Sequence, residues 1–379
     1  MLVLALIAAI AALFITPPSK DLLGSIDWRT LGILLMMLCV LEGFKRENVL
    51  GPIVRLASRI NNMAALSLFL IGGVFFTSMF VTNDVSLIII VPLTIMLFRS
   101  GNKEKYILPV ISMENIAAIR GSLLTPFGSP QNLFLYGQAG VDVWHFMLHM
   151  LPLMASSALL LTGFVAFLYR KDLCEKVDFT GKESGENTTD NHALATERKR
   201  LNRRGITYLI LFAIVLTVIV TRTTLWPVAL GIVIIGILVT DRKIFAKVDY
   251  VLIATFLCFF VFSSSIAANE KIAGFLKSAV AGNEYWWAIG LSQIISNVPA
   301  SIVLYPFTEN FAGLIYGADT AGLVSLIGSL ASVINYRIYV REYPGNGGRF
   351  VKVFTLISWA FFIIVVVPGY LLSKWDFFS

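Results

Sequence analysis

Apolar runs of spanning length follow one another along the whole chain, at roughly 2–16, 28–44, 63–98, 107–139, 146–169, 206–222, 224–240, 250–266, 284–308, 321–340 and 350–372. Polar or basic stretches separate them, and the two-residue alternation of a half-buried strand is missing. The pattern therefore predicts helices that cross a bilayer, whose hydrocarbon core takes about 20 apolar residues per crossing. Two runs need a further device. The run 63–98 is too long for one crossing and carries Thr82-Asn83-Asp84 in its middle, a triplet that hydrocarbon would penalise. A hairpin that enters and leaves on one side accommodates it. The run 284–308, with Ser296-Asn297-Val298-Pro299 inside it, reads as a second hairpin from the opposite side. A helix starting near 107 meets Thr125-Pro126-Phe127-Gly128-Ser129-Pro130. Two missing donors and one permissive glycine predict a break there. Gly328-Ser329-Leu330-Ala331-Ser332 is the matching break, and no run covers 309–320.

Composition agrees with lipid as the solvent: of 379 residues, 57% are hydrophobic and 14% charged, with mean hydropathy +0.80, outside the soluble range. The fold class expected is an all-α polytopic membrane protein. The formal charge of +7 could suggest nucleic acid, but the basic residues sit in short loops between apolar runs. If both hairpins are as described, Lys45, Arg46, Arg55, Arg59, Arg99, Lys103, Lys105, the stretch Arg170 to Arg204, Arg242, Lys243, Lys247, Arg341, Arg349 and Lys352 all fall on one side. By the positive-inside rule that side is cytoplasmic. About nine crossings and two hairpins follow, with the N-terminus cytoplasmic and the C-terminus external, in the inner membrane of a prokaryote. Leu2 to Ile15 has neither a basic flank nor a small-residue cleavage site, so it reads as a retained helix.

The hydrophilic stretch 171–204 reads as a cytoplasmic linker between a first repeat, 1–170, and a second, 224–379, with 205–223 a spacer helix. The sequon Asn187-Thr188-Thr189 would then lie on the side where glycosylation does not occur. Cys39, Cys174 and Cys258 are far apart and read as packing residues. His145 and His149 have the spacing of a helical metal pair, but no acidic or cysteine ligand adjoins them, and no metal site is expected. No nucleophile triad, phosphate loop or paired carboxylates mark an enzyme.

Self-similarity carries the functional reading. Asn83 precedes Pro92-Leu93-Thr94 by the spacing at which Asn297 precedes Pro306-Phe307-Thr308, and Thr82 falls on Ser296. Downstream, the stretch Gly128 to Tyr136 aligns with Ala331 to Tyr339, so that Ser129 meets Ser332, Asn132 meets Asn335 and Tyr136 meets Tyr339. Upstream, Ile26-Asp27-Trp28 matches Val248-Asp249-Tyr250. An odd number of crossings between the copies inverts the second. Inverted repeats with broken helices are a transporter architecture, because half-helix ends and unwound backbone offer partial charges where lipid offers none. The expected site gathers Thr82, Asn83, Asp84, Thr125, Gly128, Ser129, Asn132, Ser296, Asn297, Gly328, Ser329, Ser332 and Asn335. Asn83 and Asn297 serve equally as helix caps. Asp84, replaced by Val298 in the second copy, is either the coupling-ion carboxylate or the fixed partner of Arg120, with Glu114 a competitor for that arginine.

On these residues the chain resembles the ion transporter superfamily, which includes citrate and dicarboxylate permeases, arsenite efflux permeases and certain sodium/proton antiporters. The resemblance covers nearly the whole chain. It implies a homodimer in which a transport domain moves against a scaffold, with no organic cofactor and with a sodium ion or protons bound in coupling. Dicarboxylate symporters carry Ser-Asn-Thr at both tips, where this chain has Thr82-Asn83-Asp84 and Ser296-Asn297-Val298. The Asn-Asp pair and the stretch Ile327 to Ala331 look like the arsenite and antiporter branches. Pro126 to Asn132 looks like the citrate-permease pattern, with Gln131 in place of a proline. The resemblance implies transport of a small anion coupled to sodium or protons, with arsenite efflux or sodium/proton exchange as the alternative and a passive channel behind both.

Overall fold

Apolar sequence without strand periodicity folds here into helix after helix. The computed structural model describes residues 2–16, 22–47, 56–57, 59–171 and 203–375. The linker between Lys171 and Arg203, with its sequon and Cys174, falls outside the described residues. The main helices are α1 (Leu2–Ile15), α2 (Trp28–Arg46), α3 (Met63–Val81), α4 (Asn83–Ser100), α5 (Ile107–Gly121), α6 (Pro130–Ala139), α7 (Val143–Leu168) and α8 (Arg203–Thr221). They continue as α9 (Trp226–Asp241), α10 (Tyr250–Ala267), α11 (Glu270–Val280), α12 (Glu284–Ile295), α13 (Asn297–Leu304), α14 (Phe311–Ala321), α15 (Leu330–Glu342) and α16 (Gly347–Ser373). Among the described residues, α3, α4, α7, α8, α10 and α16 are each long and apolar enough to span a membrane.

The distribution of side chains inverts that of a soluble protein. Phe14, Trp144, Leu159, Phe167, Val239, Phe275, Leu356 and Ile363 are exposed, while Glu114, Asn115, Arg120, Asn132, Asp319 and Asn335 are fully buried. Lipid makes the first arrangement favourable, and hydrogen bonding within the protein makes the second tolerable.

The long runs resolve as the polar interruptions predict. The run 63–98 becomes α3 and α4 joined at Thr82, and 284–308 becomes α12 and α13 joined at Ser296. The run 107–139 becomes α5 and α6 on either side of residues 122–129. One segment departs from expectation. Residues 309–320, which no apolar run covers, form most of α14, in which every residue from Ala312 to Ala321 is buried. Its two glycines and Asp319 lower the local hydropathy, yet they suit a helix enclosed by protein. A side chain on Gly317 would stand 2.5 Å from the Tyr285 carbonyl oxygen, so α14 lies directly against α12. A second addition is α11, a short amphipathic helix outside the apolar runs.

Two groups of helices pack tightly within themselves. In the first, α1 lies along α10, while α8 and α9 pack against each other and both against α2. In the second, the hairpin α3–α4 packs on α5, the hairpin α12–α13 on α14, and α16 lies against α14 and α5. Each second hairpin arm also reaches the other half, α4 to α15 and α13 to α6. The matched tripeptides upstream adopt one geometry. Asp27 (φ −77°, ψ 79°) accepts from the Thr30 amide at 2.9 Å, and Asp249 (φ −78°, ψ 78°) from the Leu252 amide at 3.0 Å.

Candidate functional site

The two hairpin tips share a backbone conformation that ordinary residues avoid. Thr82 has φ 73° and ψ 153°, and Ser296 has φ 72° and ψ 158°, a region populated essentially by glycine. In each case the next residue is an asparagine whose amide leaves its own hairpin. Asn83 N–H donates to the Gly128 carbonyl at 3.3 Å, and Asn297 N–H donates to the Gly328 carbonyl at 3.2 Å. Glycine at both breaks is a matter of space. A Cβ at Gly128 would lie 2.5 Å from the Ser122 carbonyl oxygen, and one at Gly328 would lie 2.4 Å from that of Ala321. A second tie closes each contact: Thr125 Oγ1 donates to the Met79 carbonyl, and Ser325 Oγ donates to Gln293 Oε1 at 2.7 Å. Met79 and Gln293 each stand three residues before their tip.

These contacts correct the register of the sequence alignment. Gly128 corresponds to Gly328, Thr125 to Ser325 and Ser129 to Ser329, the last pair with matching extended backbone (φ −147°, ψ 151° and φ −146°, ψ 140°). Pairing Ser129 with Ser332 and Asn132 with Asn335 runs three residues too far. A shift of three is close to one helical turn, so the polar and apolar positions nearly coincide and the sequence hides the slip.

All four helices that start at a tip or a break start on a hydroxyl residue that makes no capping hydrogen bond: Thr82 for α4, Ser129 for α6, Ser296 for α13 and Ser329 for α15. Side chains cap six other helix starts, at Asp27, Asn62, Asp142, Asp249, Asn269 and Asn310, whereas α5, α9, α12 and α16 likewise begin without a side-chain cap. The Asn83, Asp84 and Asn297 amides are already taken and Pro130 and Pro299 have no N–H, so what the four starts share is the positive end of the helix dipole, which favours an anion. Asn83 does not act as a conventional cap, since its Oδ1 accepts from the adjacent Asp84 amide at 2.8 Å.

Asp84 and Arg120 do not form an ion pair. Asp84 is half-buried beside the first tip, with Oδ1 unpartnered, and the charges it senses are Lys45 and Asp249. Arg120 is wholly buried; its Nε donates to Ser157 Oγ at 2.9 Å and one terminal nitrogen reaches the Asp319 carbonyl at 3.5 Å. Glu114 does not compete for it, accepting instead from Thr94 Oγ1. Ser332 and Asn335 face α5 and not the tips. Asn115 Nδ2 donates to Ser332 Oγ at 3.0 Å, and Asn335 Nδ2 donates to the Ile111 carbonyl at 2.7 Å, two rungs that join the halves.

Sequence reasoning missed Asp319. Its carboxylate, fully enclosed on α14, accepts from Gln131 Nε2 at 3.0 Å, and the Asn132 side-chain amide lies against it, its nitrogen donating at 3.1 Å when the amide is turned toward the carboxylate. Both amides belong to the first turn of α6, directly after the first break. The available signal was a lone acid flanked by small residues, Gly317-Ala318-Asp319-Thr320-Ala321. His149 packs edge-on to Tyr316, whose hydroxyl donates to the His149 carbonyl. A cleft of about 700 Å³ opens elsewhere, between Tyr106, Met113, Phe164 and Val353, with Lys105, Arg170 and Lys171 at its rim.

Comparison with known proteins agrees with this architecture. The family described as citrate transporter matches residues 1–328. The chain is 29% identical to the inner membrane protein YbiR of Escherichia coli, over 95% of this chain and 91% of that one. It is 28% identical to an uncharacterized transporter of Methanocaldococcus jannaschii, over 92% and 91% of the two chains. The crystal structure of the Alcanivorax borkumensis YdaH transporter superposes with a TM-score of 0.52 at 15% identity, over 94% of this chain and 88% of that one, a likeness of fold.

Proposed function

Because this chain belongs to the citrate transporter family, we propose that it is a secondary active transporter that carries a small anion, coupled to sodium or protons, by alternating access. The observation that carries this reading is the convergence of four helix starts, two at strained tips and two at the glycine breaks to which those tips are tied. The positive helix ends gathered there favour negative charge, and the strain at Thr82 and Ser296 is the kind retained where function requires it. Thr82, Asn83, Thr125, Gly128, Ser129, Ser296, Asn297, Gly328 and Ser329 make up the binding shell in this proposal, with Asp84 at its edge. The recurrence of geometry at Asp27 and Asp249, at the tips and at the breaks supports an inverted duplication. The packing of α1 on α10 and of α8 and α9 on α2 supports a scaffold, which meets the second hairpin where α10 lies against α13 and through which two copies would associate.

The unpartnered oxygen of Asp84 favours one rival, sodium/proton exchange with that carboxylate as the cation site. Thermal unfolding of the purified protein separates the two readings, since a ligand that binds only the folded state raises apparent stability. The anion reading expects a shift with citrate, succinate or sulfate; a shift with sodium or pH alone moves the assignment to the exchanger. In proteoliposomes, Asn83→Ala and Asn297→Ala should each abolish uptake from a folded protein, and wild-type flux in both would remove the tips from the site.

A further inference from the structure

Arg120 and Asp319 hold opposite charges in the same closed interior without joining them. The guanidinium lies on the last turn of α5, just before the first break, and the carboxylate on the last turn of α14, just before the second. Both side chains are fully buried. The carboxylate accepts from Gln131, with the Asn132 side-chain amide turned to it beside that bond. The guanidinium donates to Ser157 and, at 3.5 Å, to the Asp319 main chain, and its Nη2 has no acceptor. A fixed ion pair in such a place would close into a bidentate bridge, because an unpartnered charged donor in a low dielectric is costly. Here each charge compensates the other through space, and one strong donor stays open beside the break.

We propose that Arg120 and Asp319 form a counter-ion exchange that couples anion binding to proton uptake. This rests on the anion reading above. With the site empty, the Asp319 carboxylate balances Arg120. When a proton from the open side of the membrane adds to a carboxylate oxygen of Asp319, the carboxyl group becomes neutral and the Arg120 charge is left without a counter-ion. The transported anion then supplies it at the break, through the open Nη2. Release on the other side reverses the sequence: the anion leaves, the carboxyl O–H bond breaks, and the proton departs to water. The pair is neutral when empty and carries one uncompensated positive charge when only the proton is aboard, so proton uptake favours the anion and the anion in turn favours retention of the proton.

The groups that face Asp319 leave it as the exchangeable site. From α5 comes Arg120. From α12 come Tyr285 and, at the far end of the helix contact, Glu284. Tyr316 lies on α14 itself, with His149 of α7 edge-on to it, and α16 adds Tyr370 against Tyr285. The first turn of α6 offers only the two amides, and α13 contains no ionisable side chain. Asp319 is thus the lone carboxylate in direct register with the guanidinium among the described residues.

Calorimetric titration of the purified full chain with citrate, and separately with sulfate, tests this. Runs in buffers of different ionisation enthalpy count the protons taken up. The wild type should bind an anion with affinity rising about tenfold per pH unit of acidification on the alkaline side, and with about one proton taken up per anion. Asp319→Asn, which keeps an acceptor for Gln131, should bind the same anion with no pH slope and no proton uptake. Asp319→Glu should restore the slope, and Arg120→Gln should lose anion binding. The proton count on the wild type needs no variant, so a poorly folding mutant does not remove the test. Anion binding without proton uptake overturns the exchange while leaving the anion reading intact. So does a pH slope that survives in Asp319→Asn but disappears in Asp84→Asn. Absence of binding by either anion overturns both.

Discussion

Replacing Thr82 by glycine should stabilise this protein while damaging its transport. At φ 73° and ψ 153° a residue with a Cβ carries about 1–3 kcal/mol of strain. Glycine removes that term but adds roughly 0.5–1 kcal/mol of chain entropy in the unfolded state. Little else is lost, because the Thr82 side chain is half-buried and makes no hydrogen bond, while its carbonyl still accepts from the Ser86 amide at 3.2 Å. The balance is a gain on the order of 1 kcal/mol. Ser296→Gly should behave alike, since Ser296 Oγ gives up only a 3.5 Å contact with Asn297 Oδ1. Thermal unfolding in detergent reads the gain, with Thr162→Gly on the exposed face of α7 as the control that should lose about 0.5 kcal/mol. Uptake in proteoliposomes should fall in both tip variants, because a relaxed tip no longer aims its helix start at the break. Destabilisation of Thr82→Gly equal to that of the control would refute the strain argument.

Gly328→Ala drives a methyl group to within 2.4 Å of the Ala321 carbonyl oxygen; overpacking of this kind costs about 1–3 kcal/mol, whereas Gly163→Ala, with nothing within 4 Å, should leave the melting temperature unchanged or raised. Equal melting temperatures for the two variants would mean that the second break is loose. Asp84→Asn should weaken the dependence of uptake on a sodium gradient, measured with and without sodium at fixed pH. Unchanged sodium dependence would make Asp84 a structural residue.

Much of the architecture was legible because lipid imposes a single rule along the chain. Runs of apolar residues must be helices, and a polar triplet or a Pro-Gly-Pro cluster inside one must mark a turn or a break, so Thr82, Ser296 and residues 122–129 could be located without coordinates. Residues 309–320 escaped the same rule, which equates spanning with hydropathy. Helix α14 touches protein on all sides, and a helix that never meets lipid is free to carry glycines and an acid.

What the sequence determined by itself is the local chemistry: which stretches are helical, where they are interrupted, and which asparagines, glycines and hydroxyls stand at the interruptions. What only the tertiary structure decided is which of those groups meet. The register of the two breaks was set by a pair of contacts at each tip, Asn83 to Gly128 with Thr125 to Met79, and Asn297 to Gly328 with Ser325 to Gln293, that a shift of nearly one turn leaves invisible in a hydropathy pattern. The partner of Arg120 proved to be the region of Asp319, nearly two hundred positions away in numbering, and not Asp84. Pairing across such distances depends on how two broken helices cross, and periodicity within one segment holds no information about the other.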